Sequence, residues 1–167
     1  KLVYDGEVRI FENPAALKRA FVVYETERAG SYIEAQEIAA QNALSLEHKA
    51  VVEDPAALFA GKGSYTASFK GYEPNRVELA VESDSAGLLV LTDVYYQGWR
   101  AFVNGEEAKV FRVNGLVRGV AVGKGKSTVV FSYFPLSFKV GLLISLSSVV
   151  ICLFLFFGFK EKQRHGR

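Results

Sequence analysis

Between Val140 and Phe159 lie twenty consecutive residues without an Asp, Glu, Lys, Arg or His, and this run constrains the chain more than any other feature. An α-helix rises about 1.5 Å per residue, so a run of that length crosses the roughly 30 Å hydrocarbon layer of a bilayer. The competing reading, a central helix of a large soluble protein, requires a core that covers every face of the helix. A chain of 167 residues that otherwise reads as short strands has no core that wide. The sequence therefore predicts a transmembrane helix over residues 138–159 and a basic tail over 160–167. Gly141, Ser145, Ser147 and Ser148 are small enough to let a second helix approach, although a lone anchor tolerates them equally.

The charges flanking the run set an expected orientation. Lys160, Lys162, Arg164 and Arg167 follow it against one Glu161, whereas Lys139 alone lies close before it. Positive charge is retained on the cytoplasmic side, which predicts residues 1–137 to be extracytoplasmic and the C-terminus cytoplasmic in a bacterial cell membrane. Residues 1–138 carry fifteen Lys+Arg and seventeen Asp+Glu, whereas residues 139–167 carry five and one. The outer part thus has no basic excess with which to hold nucleic acid. Cys152, the single cysteine, falls in the span, so the outer part has neither a disulfide nor a thiolate, as suits a bacterial envelope. The chain contains no methionine, and Lys1 to Ile10 lacks the apolar core of a signal peptide. The expectation is a piece of a longer polypeptide, whose upstream transmembrane segments carry the domain outward and pack beside it in the lipid bilayer.

Ahead of the span the period is that of strands. Short apolar runs at 2–5, 7–12, 20–25, 48–53, 64–71, 75–83, 87–94, 100–104, 108–113, 117–122 and 127–134 are separated by turn signals at Asp5-Gly6, Asn13-Pro14, Asn104-Gly105, Asn114-Gly115 and Gly123-Lys124-Gly125. Asn-Gly between apolar runs favours the tight hairpin turn that needs φ > 0 at both central residues. Val77, Leu79 and Val81 alternate with Glu78, Ala80 and Glu82, giving one wet face, while Leu88 to Leu91 is apolar throughout and reads as central. One stretch departs from this pattern. Ser31 followed by Glu34 forms a capping box ahead of an alanine-rich run to Leu44 or Leu46, which predicts one short amphipathic helix with Ala35, Ile38 and Ala39 inward. The fold class expected is mainly β: an antiparallel, jelly-roll-like β-sandwich with one short helix, then a single C-terminal transmembrane helix. Only Pro135 to Lys139 separates the last strand from the span, so the sandwich is expected directly on the membrane surface, with Phe134 and Phe138 at headgroup level.

Residue types for catalysis are sparse. His48 and His165 have no partner by spacing, and no zinc-protease, CxxC, serine-hydrolase, Walker or dinucleotide pattern occurs; no metal site and no cofactor is expected. Glu106 and Glu107 are neighbours on a strand and point to opposite faces, unlike a paired acid and base. The remaining group is aromatic. Tyr95, Tyr96 and Trp99, with Asp93 and Arg100 beside them and Arg118 on a later strand, present a platform on which a sugar ring stacks while the charges take its hydroxyls. The competing reading is that Trp99 packs under a turn at Gly98 and that one tyrosine stays wet, because both cannot point inward from one strand. Arg118 then serves either as a buried partner of Asp93 or as a surface contact.

These residues also carry a family likeness. IFENPAALKRAFVVYE (Ile10 to Glu25), LLVLTDVYYQGWRAFVNGEEAKVFRVNGLVRGVAV (Leu88 to Val122) and TVVFSYFPLSFKVGLLIS (Thr128 to Ser145) resemble, in order, the C-terminal part of the YfhO-like bacterial membrane proteins, and the Asp-Tyr-Tyr-x-Gly-Trp block is its most specific element. Lys18 and Gln97 stand where that pattern has prolines, and Phe134 where an arginine is frequent. The resemblance implies a polytopic protein of glycosyltransferase-C type, similar to enzymes that move a sugar from a polyprenyl-phosphate carrier to an envelope polymer. The acidic residues of that chemistry belong to early outer loops, so none is carried onto this chain. The expectation is a non-catalytic module that assists by binding or positioning the acceptor, with an envelope glycan or polyprenyl-linked sugar as partner. The alternatives are a structural or protein-docking sandwich that braces the membrane domain, and a single-pass envelope adhesin.

Overall fold

The computed structural model of the protein describes residues 1–13 and 16–164; Pro14 of the expected Asn13-Pro14 turn, and His165 and Arg167 of the tail, lie outside them. The order of elements is β1 (Leu2–Asp5), β2 (Arg9–Phe11), β3 (Ala20–Val23), β4 (Glu25–Arg28), α1 (Tyr32–Gln41), β5 (Lys49–Val52), β6 (Tyr65–Glu73), β7 (Arg76–Ser83), β8 (Gly87–Val94), β9 (Trp99–Val103), β10 (Glu106–Ala108), β11 (Phe111–Val113), β12 (Val117–Val122), β13 (Gly125–Tyr133) and α2 (Leu136–Arg164).

Strands β1 and β2 form a separate hairpin. The others form a five-stranded sheet, ordered β10-β9-β13-β7-β6, and a six-stranded sheet, ordered β3-β8-β12-β11-β5-β4. The two sheets stack through one core. Val77, Leu79, Val81, Ala101, Val129 and Phe131 from the five-stranded sheet meet Ala20, Val22, Leu89, Leu91, Val120 and Val122 from the six-stranded sheet. The mostly β sandwich expected from strand spacing is therefore present. Strand β7 shows the predicted alternation, with Val77, Leu79 and Val81 buried. Strand β8, apolar on both faces, lies inside its sheet, and Leu88 and Val90 on its second face join Phe21, Val23, Val52, Phe111 and Val113 in another buried cluster.

Two features depart from the sequence reading. The apolar run from Ala20 breaks at Tyr24, and Glu25–Arg28 then forms β4, which pairs parallel to β5 at the sheet edge. Run 108–113 is divided into β10 and β11, which belong to different sheets, so the chain crosses the sandwich at Lys109 and Val110. The helix starts where the capping box places it: Ser31 Oγ accepts from the Glu34 amide at 3.2 Å, and Glu34 Oε2 accepts from the Gly30 amide at 2.7 Å. It ends at Gln41, and a 3-10 turn over Ala43–Ser45 takes up the rest of the alanine-rich run. Ala35 and Ala39 are buried against Val51 and Ala29, with Ile38 packed at the margin.

Asn104 and Asn114 adopt φ of 54° and 52°, followed by Gly105 and Gly115 at 88° and 65°, as two hairpin turns with φ > 0 at both central residues require. Past β13 the chain turns at Pro135 into α2. Among the described residues, Leu136–Phe154 is the stretch long and apolar enough to cross a membrane, with mean hydropathy 2.1 and no residue of it buried. Ser147 and Ser148 return their hydroxyls to the carbonyls of Leu143 and Ile144 at 2.8 and 2.9 Å, so neither leaves an unpaired hydroxyl in hydrocarbon.

Candidate functional site

Strand alternation determines which of the candidate residues meet. On β8, Leu89 and Leu91 face the core between the sheets, and Asp93 has the same parity. The β8–β12 register shifts between Val117, opposite Val94, and Arg118, opposite Leu91, which leaves Thr92 and Asp93 in a bulge-like irregularity at the end of the strand. Such irregularities re-aim side chains. Here the Asp93 carboxylate meets the guanidinium of Arg118, whose Nη2 donates to Oδ2 at 2.7 Å. Arg118 is only 3% exposed, and its Nη1 also donates to the Val94 carbonyl at 3.3 Å.

The opposite sheet supplies the lid of this cation. Trp99, Ala101 and Val103 are the inward positions of β9, and Phe131 and Tyr133 those of β13. The Arg118 guanidinium carbon lies 3.7 Å from the centre of the Trp99 ring and 5.5 Å from that of Phe131. A desolvated cation over an indole is among the stronger cation–π arrangements. Burial pushes the Arg118 proton affinity down and the Asp93 charge opposes that shift. Of the readings of the sequence, packing describes Trp99, and Arg118 is the buried partner of Asp93 rather than a surface contact.

Two members of the cluster were not expected. Arg19 Nη2 reaches Asp93 Oδ1 at 2.9 Å, and Tyr72 donates to the same carboxylate at 3.0 Å. Arg19 also donates to the Tyr72 hydroxyl, and that bond, ahead of the Asp93 charge, raises Arg19 above its ordinary proton affinity. The one sequence signal for Arg19 is its place at the start of the apolar run. Once β3 pairs antiparallel with β8, with Ala20 opposite Leu91, Arg19 necessarily arrives next to Thr92 and Asp93. No local pattern marks Tyr72.

The other candidates lie apart from this cluster. Arg100, on the outward parity of β9, forms a two-pronged ion pair with Glu107, with Nε–Oε1 at 2.7 Å and Nη2–Oε2 at 2.6 Å, so it does not join Asp93 and Arg118 in one platform. Tyr95 is half-buried, with the Arg112 guanidinium 4.9 Å from its ring centre, and borders a cleft with Glu53, Lys109 and Arg112. Tyr96 is 65% exposed and is therefore the wet tyrosine of the pair. Its ring centre lies 6.5 Å from that of Tyr133, which in turn stands 5.2 Å from Trp99. The result is an aromatic row that runs from the buried Arg118 outward to solvent.

That row stands at the base of the membrane helix. The turn before β9 uses Gly98 at φ 100°, and a Cβ there would come within 3.0 Å of Pro135 and 3.1 Å of the Tyr133 ring. The Phe134 amide donates to the Gly98 carbonyl at 3.4 Å. Proline in place of Gln97, as in the pattern the sequence resembles, would stiffen the turn; here the contacts of Gly98 hold it. Among the described residues no group of three His, Cys, Asp or Glu side chains gathers as a metal site would.

Comparison with known proteins gives the chain a family. The family model described as "Bacterial membrane protein YfhO" matches residues 40–145, a stretch that runs from the end of α1 through strands β5 to β13 and the first turns of α2. The "Uncharacterized protein YfhO" of Bacillus subtilis (strain 168) is 25% identical over 83 residues, which are 50% of this chain and 10% of that protein. No solved structure matches. The matched region contains the Asp93–Trp99 block, Arg118 and the start of the span, and more than half of the chain falls within it: the chain belongs to the YfhO family of bacterial membrane proteins.

Proposed function

We propose that this chain is the extracytoplasmic sandwich and a final membrane helix of a polytopic, glycosyltransferase-C-like protein, and that it assists transfer of a sugar from a polyprenyl-phosphate carrier to a cell-envelope polymer by holding the acceptor near the bilayer. The module itself is non-catalytic, and the chemistry belongs to membrane-domain loops upstream. The observation that carries the reading is the position of Tyr96 and Tyr133: an exposed ring and a half-buried one, with centres 6.5 Å apart, beside the Gly98–Pro135 contact from which the membrane helix departs. Sugar rings stack on such faces, and an acceptor anchored in the membrane would pass this point.

The test uses the whole chain in lipid nanodiscs, titrated with teichoic acids and other envelope glycans. Tyr96→Ala should weaken binding about tenfold, the equivalent of ~1.4 kcal/mol, without moving the melting temperature. A panel of glycans that none of the protein binds would discard acceptor holding. The proposed orientation, with the sandwich outside and the basic tail inside, is tested separately by a fluorophore behind Arg167 that should be unreachable from the medium of intact cells.

A second reading, a bracing or protein-docking module, is favoured by one specific observation. Asp93 spends its carboxylate on Arg19, Arg118 and Tyr72, all within the chain, so the most polar cluster of the candidate site acts as a rivet. On that reading Tyr96→Ala leaves sugar transfer by the full-length protein unchanged.

A further inference from the structure

The turn that carries Tyr96 has a geometry relative to the span that assigns it a partner of its own. Pro135 immediately precedes α2, and the candidate span starts at Leu136. Gly98 is in contact with Pro135, and its carbonyl accepts from the Phe134 amide. Tyr96 is two residues from Gly98, so the chain sets it at most about 7 Å away. The headgroup layer of one leaflet is itself roughly 5–7 Å deep. Phe134 and Phe138, both exposed with ring centres 5.5 Å apart, flank the same point, and the Lys139 ammonium stands 5.0 Å from the Phe134 ring centre. A tyrosine ring with its hydroxyl and a lysine on an apolar stem settle at headgroup depth, and phenylalanines settle beside them where headgroups meet acyl chains.

We propose that the Tyr95–Gly98 turn is a second membrane contact: Tyr96, Phe134 and Phe138 lie among phospholipid headgroups and Lys139 pairs with an anionic one, so that the sandwich is fixed on the bilayer at two points and cannot swivel about α2. Continuity with the span selects the bilayer as occupant over a partner protein, and an acceptor anchored in the membrane would meet Tyr96 at this same depth. Strand direction agrees with this placement. The β13 strand leaves the Tyr133 end and reaches Gly125 after eight residues, about 27 Å away at strand rise, so the Gly123–Gly125 turn is the far end of the sandwich. The inference concerns the surroundings of Tyr96 and stands whether or not a sugar binds there.

The experiment places one environment-sensitive fluorophore on the whole chain in nanodiscs, in a Cys152→Ala background, at Tyr96→Cys or, as the distal control, at Lys124→Cys. Tyr96 and Lys124 are both exposed, so labelling perturbs neither core. Nitroxide attached to lipid headgroups should quench the label at 96 about threefold more than at 124, as expected of a residue at headgroup depth, and iodide in the water should quench it less. Adding phosphatidylglycerol to phosphatidylcholine should deepen the nitroxide effect, and Lys139→Gln should abolish that gain. Equal nitroxide quenching at 96 and 124, or a label at 96 open to iodide, overturns the membrane contact. A response indifferent to phosphatidylglycerol overturns the role of Lys139. None of these readouts depends on a glycan, so a failure here is distinct from a failure to bind acceptor.

Discussion

The guanidinium of Arg118 lies 3.7 Å from the centre of the Trp99 ring, and the two residues belong to strands of opposite sheets. The pair closes the end of the sandwich nearest the membrane helix. Asp93 supplies the counter-charge from β8, while Nε of Arg118 is buried without a hydrogen-bond partner. Such a site is costly to break from one side, because removal of the carboxylate leaves a buried cation behind.

Asp93→Ala should therefore destabilise the chain by about 3–5 kcal/mol, the usual cost of orphaning one member of a buried pair. Arg118→Met should cost only about 1–2 kcal/mol, within the ordinary range of single substitutions, because Arg19 still neutralises Asp93 at 2.9 Å and an unpaired buried donor is removed. Thermal unfolding followed by circular dichroism would measure both. A larger loss for Arg118→Met than for Asp93→Ala would contradict this account of the cluster.

Truncation of the ring tests the lid. Trp99 is half-buried, so Trp99→Ala should fall near the lower end of aromatic deletions, about 3 kcal/mol, and should expose Arg118 to water. Trp99→Phe keeps a ring face over the cation and should lose less than about half as much. Chemical denaturation of the two variants distinguishes ring packing from an exclusively ligand-binding role, under which both would keep wild-type stability.

The two Asn-Gly turns are equivalent in sequence and unequal in surroundings. A Cβ on Gly115 would meet the Tyr32 carbonyl oxygen at 2.4 Å and Gln36 at 2.5 Å, whereas one on Gly105 meets nothing within 4 Å. Gly105→Ala should thus cost only the left-handed backbone penalty, about 1–2 kcal/mol. Gly115→Ala should cost clearly more and should loosen α1, detected as faster amide exchange over Tyr32–Gln41. Equal costs would mean that α1 does not rest on the turn.

Acid should weaken the fold over a defined range. The Asp84 carboxylate, bonded first by the Ser64 amide and then by the Ser64 hydroxyl, is held below its ordinary value of 3.8. Asp54, bonded by Lys109 and the Ala56 amide, and Glu107, bonded by Arg100, are lowered too. A depressed folded value means that the stabilisation is complete above the unfolded value and is lost as pH falls through the folded one. Stability should be level from neutral pH to about 4.5 and then decline, with a shallower decline in Asp84→Asn. Tyr24 behaves in the opposite sense: burial raises it above 10.0, so its contribution is present below pH 10 and fades as alkali ionises the unfolded chain. Unfolding midpoints across the pH range would show both limbs.

Much of the fold was readable along the chain because it is written in short-range physics. The uncharged run from Val140 to Phe159 marks the span, the Ser31–Glu34 pair marks where α1 starts, and each Asn-Gly marks a turn with positive φ. Strand β4 was not readable, because ETER has no apolar alternation and is a strand only through its parallel partner β5. The candidate site was readable in part. Asp93, Trp99 and Arg118 were named together, but Arg100 was grouped with them because proximity in sequence hides the opposite parity of adjacent strand positions.

The sequence by itself determined where the chain turns, where its helices lie and which one is apolar enough to cross a membrane, since turn dihedrals, capping and hydrocarbon transfer each depend on a few neighbouring residues. Tertiary structure alone decided that Arg19 and Tyr72 join Asp93, Trp99 and Arg118 in one site and that Arg100 stays outside it. Their meeting depends on strand register and on the stacking of two sheets, and those are fixed by burying apolar surface over the whole molecule rather than by any local preference.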